Sequence, residues 1–258
     1  MAEHREGDDF VQSLSRGLRV IRAFDADHAT LSLSEVATRA EISPAAARRF
    51  LRTLETLGYV RSDGRDFALT ARVLDLGFSY LSALSLPDVM QPHLERLSRE
   101  LGESVSAAVL DGTDIVYVAR VVTRRIMTVG ISIGTRFPAY ATSMGRVLLA
   151  GEDEDAVAGI IAESSIRALT PQTLTDPHAL RREIDRVRTQ GWALVDGELE
   201  TGLRSIAAPI HDRSGRVVAA INVSMSSTGL ATSDVTKTYV PALREVAAAI
   251  ESDLRAIR

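Results

Sequence analysis

The length and composition of the chain exclude several classes of protein. Its 258 residues are enough for one large domain or two smaller ones, and 45% of them are hydrophobic, which allows a packed core. Because there is no cysteine, disulfides and thiolate chemistry are excluded, and we expect a cytoplasmic location. The net charge is −4 and no apolar run has the length of a membrane helix, so the whole-chain figures indicate neither a nucleic acid nor a membrane partner.

The positions of the basic residues are more informative than their number. Lys237 is the only lysine, and such an arginine bias is typical of GC-rich coding sequence and by itself indicates no function. The window 39–72, however, carries seven arginines against four acidic residues, a local charge of +3 in an acidic chain. This stretch is therefore a candidate for a nucleic-acid contact.

Residues 11–70 begin with two predicted helices, after a polar tail, residues 1–10, that we expect to be disordered. Ser13 is the expected N-cap of the first helix, and Ser32 or Ser34 that of the second, short one. The predicted apolar face of the first helix consists of Leu14, Leu18, Ile21 and Phe24.

A third predicted helix follows after a three-residue break. Ser43 caps it, Pro44 occupies its first position, and Gly58 ends it. Its predicted buried face contains Ala47, Leu51 and Leu54. Glu41 stands in the turn where glycine is common, and a left-handed conformation there costs a non-glycine residue about 1–2 kcal/mol.

A predicted hairpin with its turn at Asp63-Gly64 completes this part of the chain. Two helices, a tight turn and a hairpin within about fifty residues are typical of a winged helix-turn-helix. The second helix of such a pair lies in the major groove of DNA. The candidate DNA-binding residues are Ser43, Ala45, Ala46, Arg48, Arg49 and Arg52 on the helix, with Arg61 and Arg65 on the hairpin. Three arginines alone would be typical of an ordinary solvated helix face. The N-cap of the helix, the spacing of its arginines and the hairpin that follows together favour DNA binding.

Beyond a predicted linker helix, residues 71–86, the pattern of residues 87–258 is mixed helix and strand. Short turns between consecutive strands favour an antiparallel sheet with packed helices, so the predicted fold class is α+β. Helices are expected at 88–101, 143–150, 153–162, 177–190 and 233–257, and strands at 104–110, 114–121, 126–131, 192–195, 204–210 and 216–225.

A loop that leads into the helix at 143 is the first part of a candidate ligand pocket. The free N–H groups at a helix start bind carboxylates, and Arg136 and Arg146 are nearby cations, although Arg146 could equally form a structural ion pair. The candidate residues of this segment are Tyr140, Ala141, Thr142, Ser143 and Met144.

The second part of the pocket comes from a loop and a strand further along the chain. Asp196 and Glu198 lie in one loop, where carboxylates are often simply solvated. Asn222, the only asparagine, shares a strand face with Ser224 and small apolar residues, which is typical of a pocket floor but also of a buried hydrogen-bonded pair.

Catalysis has little support in the sequence. Ser143 lies in A-T-S-M-G, which resembles a nucleophile elbow, but His178 and His211 lie at a helix start and beside a turn rather than in a triad setting. The histidines are scattered and no nucleotide-binding motif occurs. We therefore expect no enzyme, no metal site and no cofactor.

Several segments together resemble the IclR family of bacterial transcriptional regulators, over about residues 11–255. The segments are S-L-S-R-G-L (13–18), L-S-E-V-A (33–37), R-F-L-R-T-L-E-T-L-G-Y-V (49–60), G-T-R-F-P-A-Y-A-T-S-M-G-R-V-L-L-A (134–150), G-W (191–192) and G-L-R-S-I-A-A-P (202–209).

This resemblance implies a winged helix joined by a helix to a GAF-like effector domain, and operator binding as a homodimer or tetramer. The run 125–146 resembles the subgroup that controls the β-ketoadipate pathway. It implies protocatechuate, 4-hydroxybenzoate or β-ketoadipate as effector, bound among the 139–145 loop, Asp196–Glu198 and Asn222–Ser224. The alternatives are a small-molecule sensor that acts through protein partners and, more remotely, a serine hydrolase that uses Ser143.

Overall fold

The computed structural model describes residues 10–25, 27–76, 86–123, 131–228 and 231–256. The chain divides into two compact units, residues 1–83 and 84–258. Residues 1–9 of the predicted disordered tail, residues 77–85 of the predicted linker helix and residues 126–130 of the predicted strand lie outside the described residues.

The first unit consists of three helices and a small sheet. Its elements are α1 (Gln12–Arg22), β1 (Thr30–Ser32), α2 (Leu33–Arg39), α3 (Pro44–Thr56), β2 (Val60–Ser62), β3 (Asp66–Leu69) and a 3₁₀ turn (Ala71–Val73). The sheet is antiparallel in the order β1-β3-β2. Each helix contributes one apolar stripe to the core. Val20 on α1, Val36 on α2 and Leu51 on α3 are fully buried there.

The helix boundaries of this unit follow from local capping. Ser32 caps α2 in a reciprocal capping box with Glu35, and the Ser43 hydroxyl accepts a hydrogen bond from the Ala46 N–H at the start of α3. Gly58, with φ +81°, follows the end of α3, and Glu41 has φ +53° in the turn before it. The predicted caps at Ser32 and Ser43 and the helix end at Gly58 are confirmed, and Glu41 adopts the left-handed conformation despite its cost.

Other local predictions are wrong. Helix α1 begins at Gln12 without a side-chain cap, so Ser13 is not its N-cap. Leu14 and Leu18 are exposed. Helix α1 is buried in the first unit near its C-terminal end, at Val20, and not in its first turns. The hairpin turn lies at Gly64-Arg65, one residue later than predicted, because the Asp63 N–H donates to the Asp66 carbonyl.

The second unit is built on a six-stranded antiparallel sheet with the strand order β6-β5-β4-β9-β8-β7, which confirms the predicted α+β class. Its helices are α4 (Leu86–Leu101), α5 (Ser143–Ala150), α6 (Glu154–Glu163), α7 (Pro177–Gln190) and α8 (Thr232–Ala256), and a 3₁₀ turn spans Ala139–Ala141. Its strands are β4 (Ser104–Asp111), β5 (Asp114–Val121), β6 (Arg136–Pro138), β7 (Ala193–Asp196), β8 (Leu203–His211) and β9 (Val217–Ser226).

The two faces of this sheet carry different helices. Helices α4 and α8 pack on one face, and α5, with α7 beside it, packs on the other. The side chains of strand β9 alternate between the two faces of the sheet. Ala220 belongs to the core around α5, whereas Ile221 points to the opposite face. Asn222 therefore faces the α5 side. Within the described ranges, no helix combines the length and the apolar content that crossing a bilayer requires.

Candidate functional site

Helix α3 presents its polar face to solvent along its first half. Its first turn contains no acidic residue, so no carboxylate there would repel a phosphate. The predicted contact residues Ser43, Ala45, Arg48, Arg49 and Arg52 are exposed and Ala46 is half-buried. Because α3 packs through Ala47, Leu51 and Leu54, the opposite face is free to enter a groove.

The structure divides the seven arginines of the basic window into two groups. Arg39 donates to the Ala23 carbonyl at 2.6 Å and pairs with Asp25, and the Arg72 guanidinium lies 5.5 Å from the centre of the Tyr59 ring. The other five are exposed and form no ion pair within the part of the chain that the structure describes; they are Arg48, Arg49, Arg52, Arg61 and Arg65. These five are available to an external anion.

The β2–β3 hairpin positions two of these arginines. Arg61 lies on β2 and Arg65 in the turn, and both are exposed. The Asp63 carboxylate accepts hydrogen bonds from the N–H groups of Arg65 and Asp66, which lowers its pKa. The carboxylate thus holds the turn in shape while the arginine side chains point outward.

A small cavity in the second unit lies between the start of α5 and the sheet. Its lining residues are Tyr117, Ala141, Thr142, Ser143, Val195, Leu199, Leu203, Ser205, Asn222 and Ser224. Of the predicted pocket residues, Ala141, Thr142, Ser143, Asn222 and Ser224 are thereby brought together from distant parts of the chain. Measured by the positions open to a water molecule, the cavity has a volume of about 10 Å³, about the space of one water.

One polar atom in this cavity has no hydrogen-bond partner among the described residues. The Ser143 and Ser205 hydroxyls lie 2.8 Å apart, and the Asn222 side-chain N–H donates to the Ser224 hydroxyl at 3.1 Å. The Asn222 Oδ1, on a residue only 3% exposed, accepts no hydrogen bond from the described residues. Since an unsatisfied buried acceptor costs about 1–3 kcal/mol, this atom marks a place for a donor from outside the chain.

Tyr117 forms another wall of the cavity. Burial raises the pKa of its phenol to about 12, because the charged form would lose its hydration. The phenol therefore stays protonated near neutral pH and keeps an O–H donor. Its ring packs edge-on against Phe137, with the ring centres 5.8 Å apart, which fixes its plane.

Four predicted pocket residues lie outside the cavity lining. The Tyr140 hydroxyl donates to the Arg167 carbonyl at 3.0 Å, and Met144 is part of the core around α5. Asp196 pairs with Arg204 and Glu198 with Arg146, each at 2.6 Å.

The two cations predicted beside the pocket are both neutralised. Arg146 is buried and forms an ion pair with Glu198, which confirms the ion-pair alternative. Its Nε–H also donates to the Tyr140 carbonyl at 3.1 Å. Arg136 pairs with Asp111 and Asp114 across the β5–β6 edge. Neither arginine is therefore free to hold a ligand carboxylate.

Half of the cavity lining was missed by sequence reasoning, namely Tyr117, Val195, Leu199, Leu203 and Ser205. Four of them are apolar or aromatic and carry no signal that separates them from core residues. Ser205 is the exception, because a serine inside the apolar strand β8 is the same kind of signal that Asn222 gives on β9.

Among the described residues, no catalytic arrangement surrounds Ser143. Its hydroxyl partner is Ser205, while His211 is hydrogen-bonded to Glu251 at 2.6 Å and His178 is exposed at the start of α7. In the described part of the chain, no three histidine, aspartate or glutamate side chains form a cluster that could hold a metal ion.

Comparison with known proteins gives matches along nearly the whole chain. Residues 13–64 match the IclR helix-turn-helix domain, and residues 78–252 match the C-terminal domain of the bacterial transcriptional regulator IclR. The Pca regulon regulatory protein of Pseudomonas putida is 46% identical over 236 residues, which are 91% of this chain and 81% of that protein.

Two further relatives extend the comparison. The p-hydroxybenzoate hydroxylase transcriptional activator of Acinetobacter baylyi is 36% identical over 251 residues, covering 95% of this chain and 93% of that protein. An IclR homologue from Microbacterium hydrocarbonoxydans, solved in complex with 4-hydroxybenzoate, is 28% identical with a TM-score of 0.85 and covers 95% of this chain and 100% of that one.

Proposed function

The chain belongs to the IclR family of bacterial transcriptional regulators, and from that premise we propose that it binds operator DNA through α3 and the β2–β3 hairpin and regulates aromatic-acid catabolism in response to a small aromatic acid. The observation that supports DNA binding most directly is the set of five exposed arginines that form no ion pair with the described residues. A guanidinium can bind guanine in a bidentate manner or contact a phosphate.

The effector site of this proposal is the cavity at the start of α5. It is supported by the unpartnered Oδ1 of Asn222 and by the first N–H groups of α5, at Ser143 and Met144, which have no acceptor within the helix. The relatives that regulate the Pca regulon and p-hydroxybenzoate hydroxylase, and the neighbour that holds 4-hydroxybenzoate, support an aromatic acid. Because the cavity has room for about one water, binding of a benzoate goes with outward displacement of its walls.

The proposal includes a homodimer or tetramer that acts in the cytoplasm and has no catalytic activity. Two recognition helices in a dimer can meet half-sites about one helical turn, or about 34 Å, apart. The Pca regulon relative is a regulatory protein. The hydroxyl of Ser143 is hydrogen-bonded to the hydroxyl of Ser205 and not to a general base.

Operator binding is tested with the full chain and the intergenic DNA upstream of its own gene. In Arg48→Ala/Arg52→Ala we expect weaker binding, by about 1–3 kcal/mol for each arginine that contacts a base. Each lost phosphate contact instead lowers the slope of log affinity against log salt by about 1. Fluorescence anisotropy at several salt concentrations measures both quantities.

A matched control removes two arginines from the other unit. Arg181 and Arg182 are exposed on α7, and Arg181→Ala/Arg182→Ala causes the same change in net charge. The control is expected to bind operator as the unmodified chain does. Equal affinity and salt slope in the α3 variant would contradict the DNA-binding assignment.

A further inference from the structure

Three polar residues form a row across adjacent strands on the α5 side of the sheet. Ser106 on β4 pairs with Arg120 on β5 and with Asn222 on β9. Residues directly opposite each other on neighbouring strands share a face, and the strands lie about 4.8 Å apart. Arg120 and Asn222 are therefore the two ends of one row, separated by the short side chain of Ser106.

Arg120 is a half-buried cation on β5. Its Nε is buried and has no acceptor, and the residue forms no ion pair within the described ranges. Its guanidinium carbon lies 6.0 Å from the centre of the Tyr117 ring, the ring that lines the cavity. Burial lowers the pKa of Arg120, because desolvation disfavours the charged guanidinium and outweighs the opposite effect of Tyr117.

The two ends of the row need complementary partners. The free Nε–H of Arg120 is a charged donor that an anion would satisfy, whereas the free Oδ1 of Asn222 is an acceptor that a hydroxyl or N–H would satisfy. Arg136 and Arg146 are already paired with carboxylates. Unlike Arg136 and Arg146, Arg120 forms no ion pair with the described residues, so its charge is available to a ligand.

We propose that the effector lies along this row, with its carboxylate on Arg120 and a ring hydroxyl donating to the Asn222 Oδ1, so that the site selects hydroxylated aromatic acids. The proposal rests on the effector function given above and deepens it. A keto dicarboxylate such as β-ketoadipate offers an anion to Arg120 but no donor to Asn222. It should therefore bind more weakly than 4-hydroxybenzoate.

The test measures ligand affinity by isothermal titration calorimetry with the full chain. For the unmodified chain we expect 4-hydroxybenzoate to bind tightest, benzoate about 2- to 10-fold more weakly, and 4-hydroxybenzamide about 10- to 100-fold more weakly. Arg120→Met should weaken both acids about 10- to 100-fold and remove most of the preference for acid over amide. Asn222→Ala should remove the preference for 4-hydroxybenzoate over benzoate.

Two controls separate charge loss from structural damage. Arg136→Met removes an arginine from the adjacent strand β6, and because that arginine is paired away from the cavity, ligand affinity should not change. Arg120→Lys keeps the charge and should recover part of the affinity that Arg120→Met loses. Circular dichroism checks that each variant is folded.

Several results would overturn the proposal. One is unchanged affinity for 4-hydroxybenzoate in a folded Arg120→Met variant. That result would place the carboxylate of the ligand at the N–H groups that begin α5. If that variant does not fold, the unmodified chain decides: equal affinity for 4-hydroxybenzoate and 4-hydroxybenzamide would contradict a carboxylate contact with Arg120. Tightest binding of β-ketoadipate would also contradict it. Operator binding without affinity for any aromatic acid would overturn the effector function itself, a result distinct from the others.

Discussion

At the scale of single residues, Glu41 shows strain in the turn of the DNA-binding element. It is the one non-glycine residue with positive φ in the described part of the chain, at +53°. Its carboxylate lies 3.6 Å from Arg19, but its side chain is 83% exposed, so this contact contributes little stability. The left-handed backbone is therefore held by the packing of α2 and α3 rather than by the side chain.

Glu41→Gly is expected to stabilise the chain. Glycine removes the left-handed cost of about 1–2 kcal/mol, and its extra freedom in the unfolded state costs about 0.5–1 kcal/mol. The net gain in the free energy of unfolding should be about 0.5–1 kcal/mol, measured by urea denaturation followed by circular dichroism.

The control for this change is Glu55→Gly, which places glycine in the last turn of α3. There the helix conformation suits glutamate, and the variant should lose about 0.5–1 kcal/mol. A loss of stability in Glu41→Gly that matches the control would show that the turn carries no strain.

At the scale of elements, the start of α5 depends on a close approach that only glycine permits. The 3₁₀ turn Ala139–Ala141 lies against the helix at Gly145, and a Cβ there would overlap the backbone of Ala139. The Thr142 hydroxyl fixes the same junction by accepting from the Gly145 N–H at 3.0 Å. Ala141 and Ser143, which line the cavity, are positioned by this packing.

Gly145→Ala should destabilise the chain by about 1–3 kcal/mol or more, because the turn must move to make room for the methyl group. The measurement is again urea denaturation. Gly159→Ala on α6 is the matched control, since its added Cβ would meet no atom of the described residues within 4 Å, apart from the backbone of its own helix. The control should gain about 0.4–1 kcal/mol from a less flexible unfolded state. Unchanged stability in Gly145→Ala would refute the proposed close packing.

At the scale of the whole molecule, the proposed function couples a ligand site in one unit to a DNA site in the other. Thermodynamic linkage makes this coupling reciprocal, since the factor by which effector changes operator affinity equals the factor by which operator changes effector affinity. The equality holds whether the effector strengthens or weakens DNA binding.

We expect this factor to be about 5–150, a coupling free energy of about 1–3 kcal/mol. Operator affinity is measured by anisotropy with and without saturating 4-hydroxybenzoate, and effector affinity by calorimetry with and without operator. Independence of the two affinities would contradict a ligand-responsive regulator, even with both sites functional.

Much of the fold could be predicted because the signals are local. Capping serines such as Ser43, glycines after helix ends and the alternation along β9 each act within a few residues, where the backbone hydrogen bonds they satisfy are also formed. The three-residue strands β1 and β6 were missed, since their pairing with β3 and β5 is set by partners distant in sequence.

By itself, the sequence determined the helix-turn-helix element, the α+β class and the candidates on α5 and β9. Only the tertiary structure decided which arginines form ion pairs inside the fold, as Arg39 and Arg146 do, and which form none with the described residues, such as Arg48 and Arg120. The physical reason is that a charge is neutralised, and a cavity is closed, by residues that strand register and helix packing bring together from distant segments. No local pattern encodes those contacts.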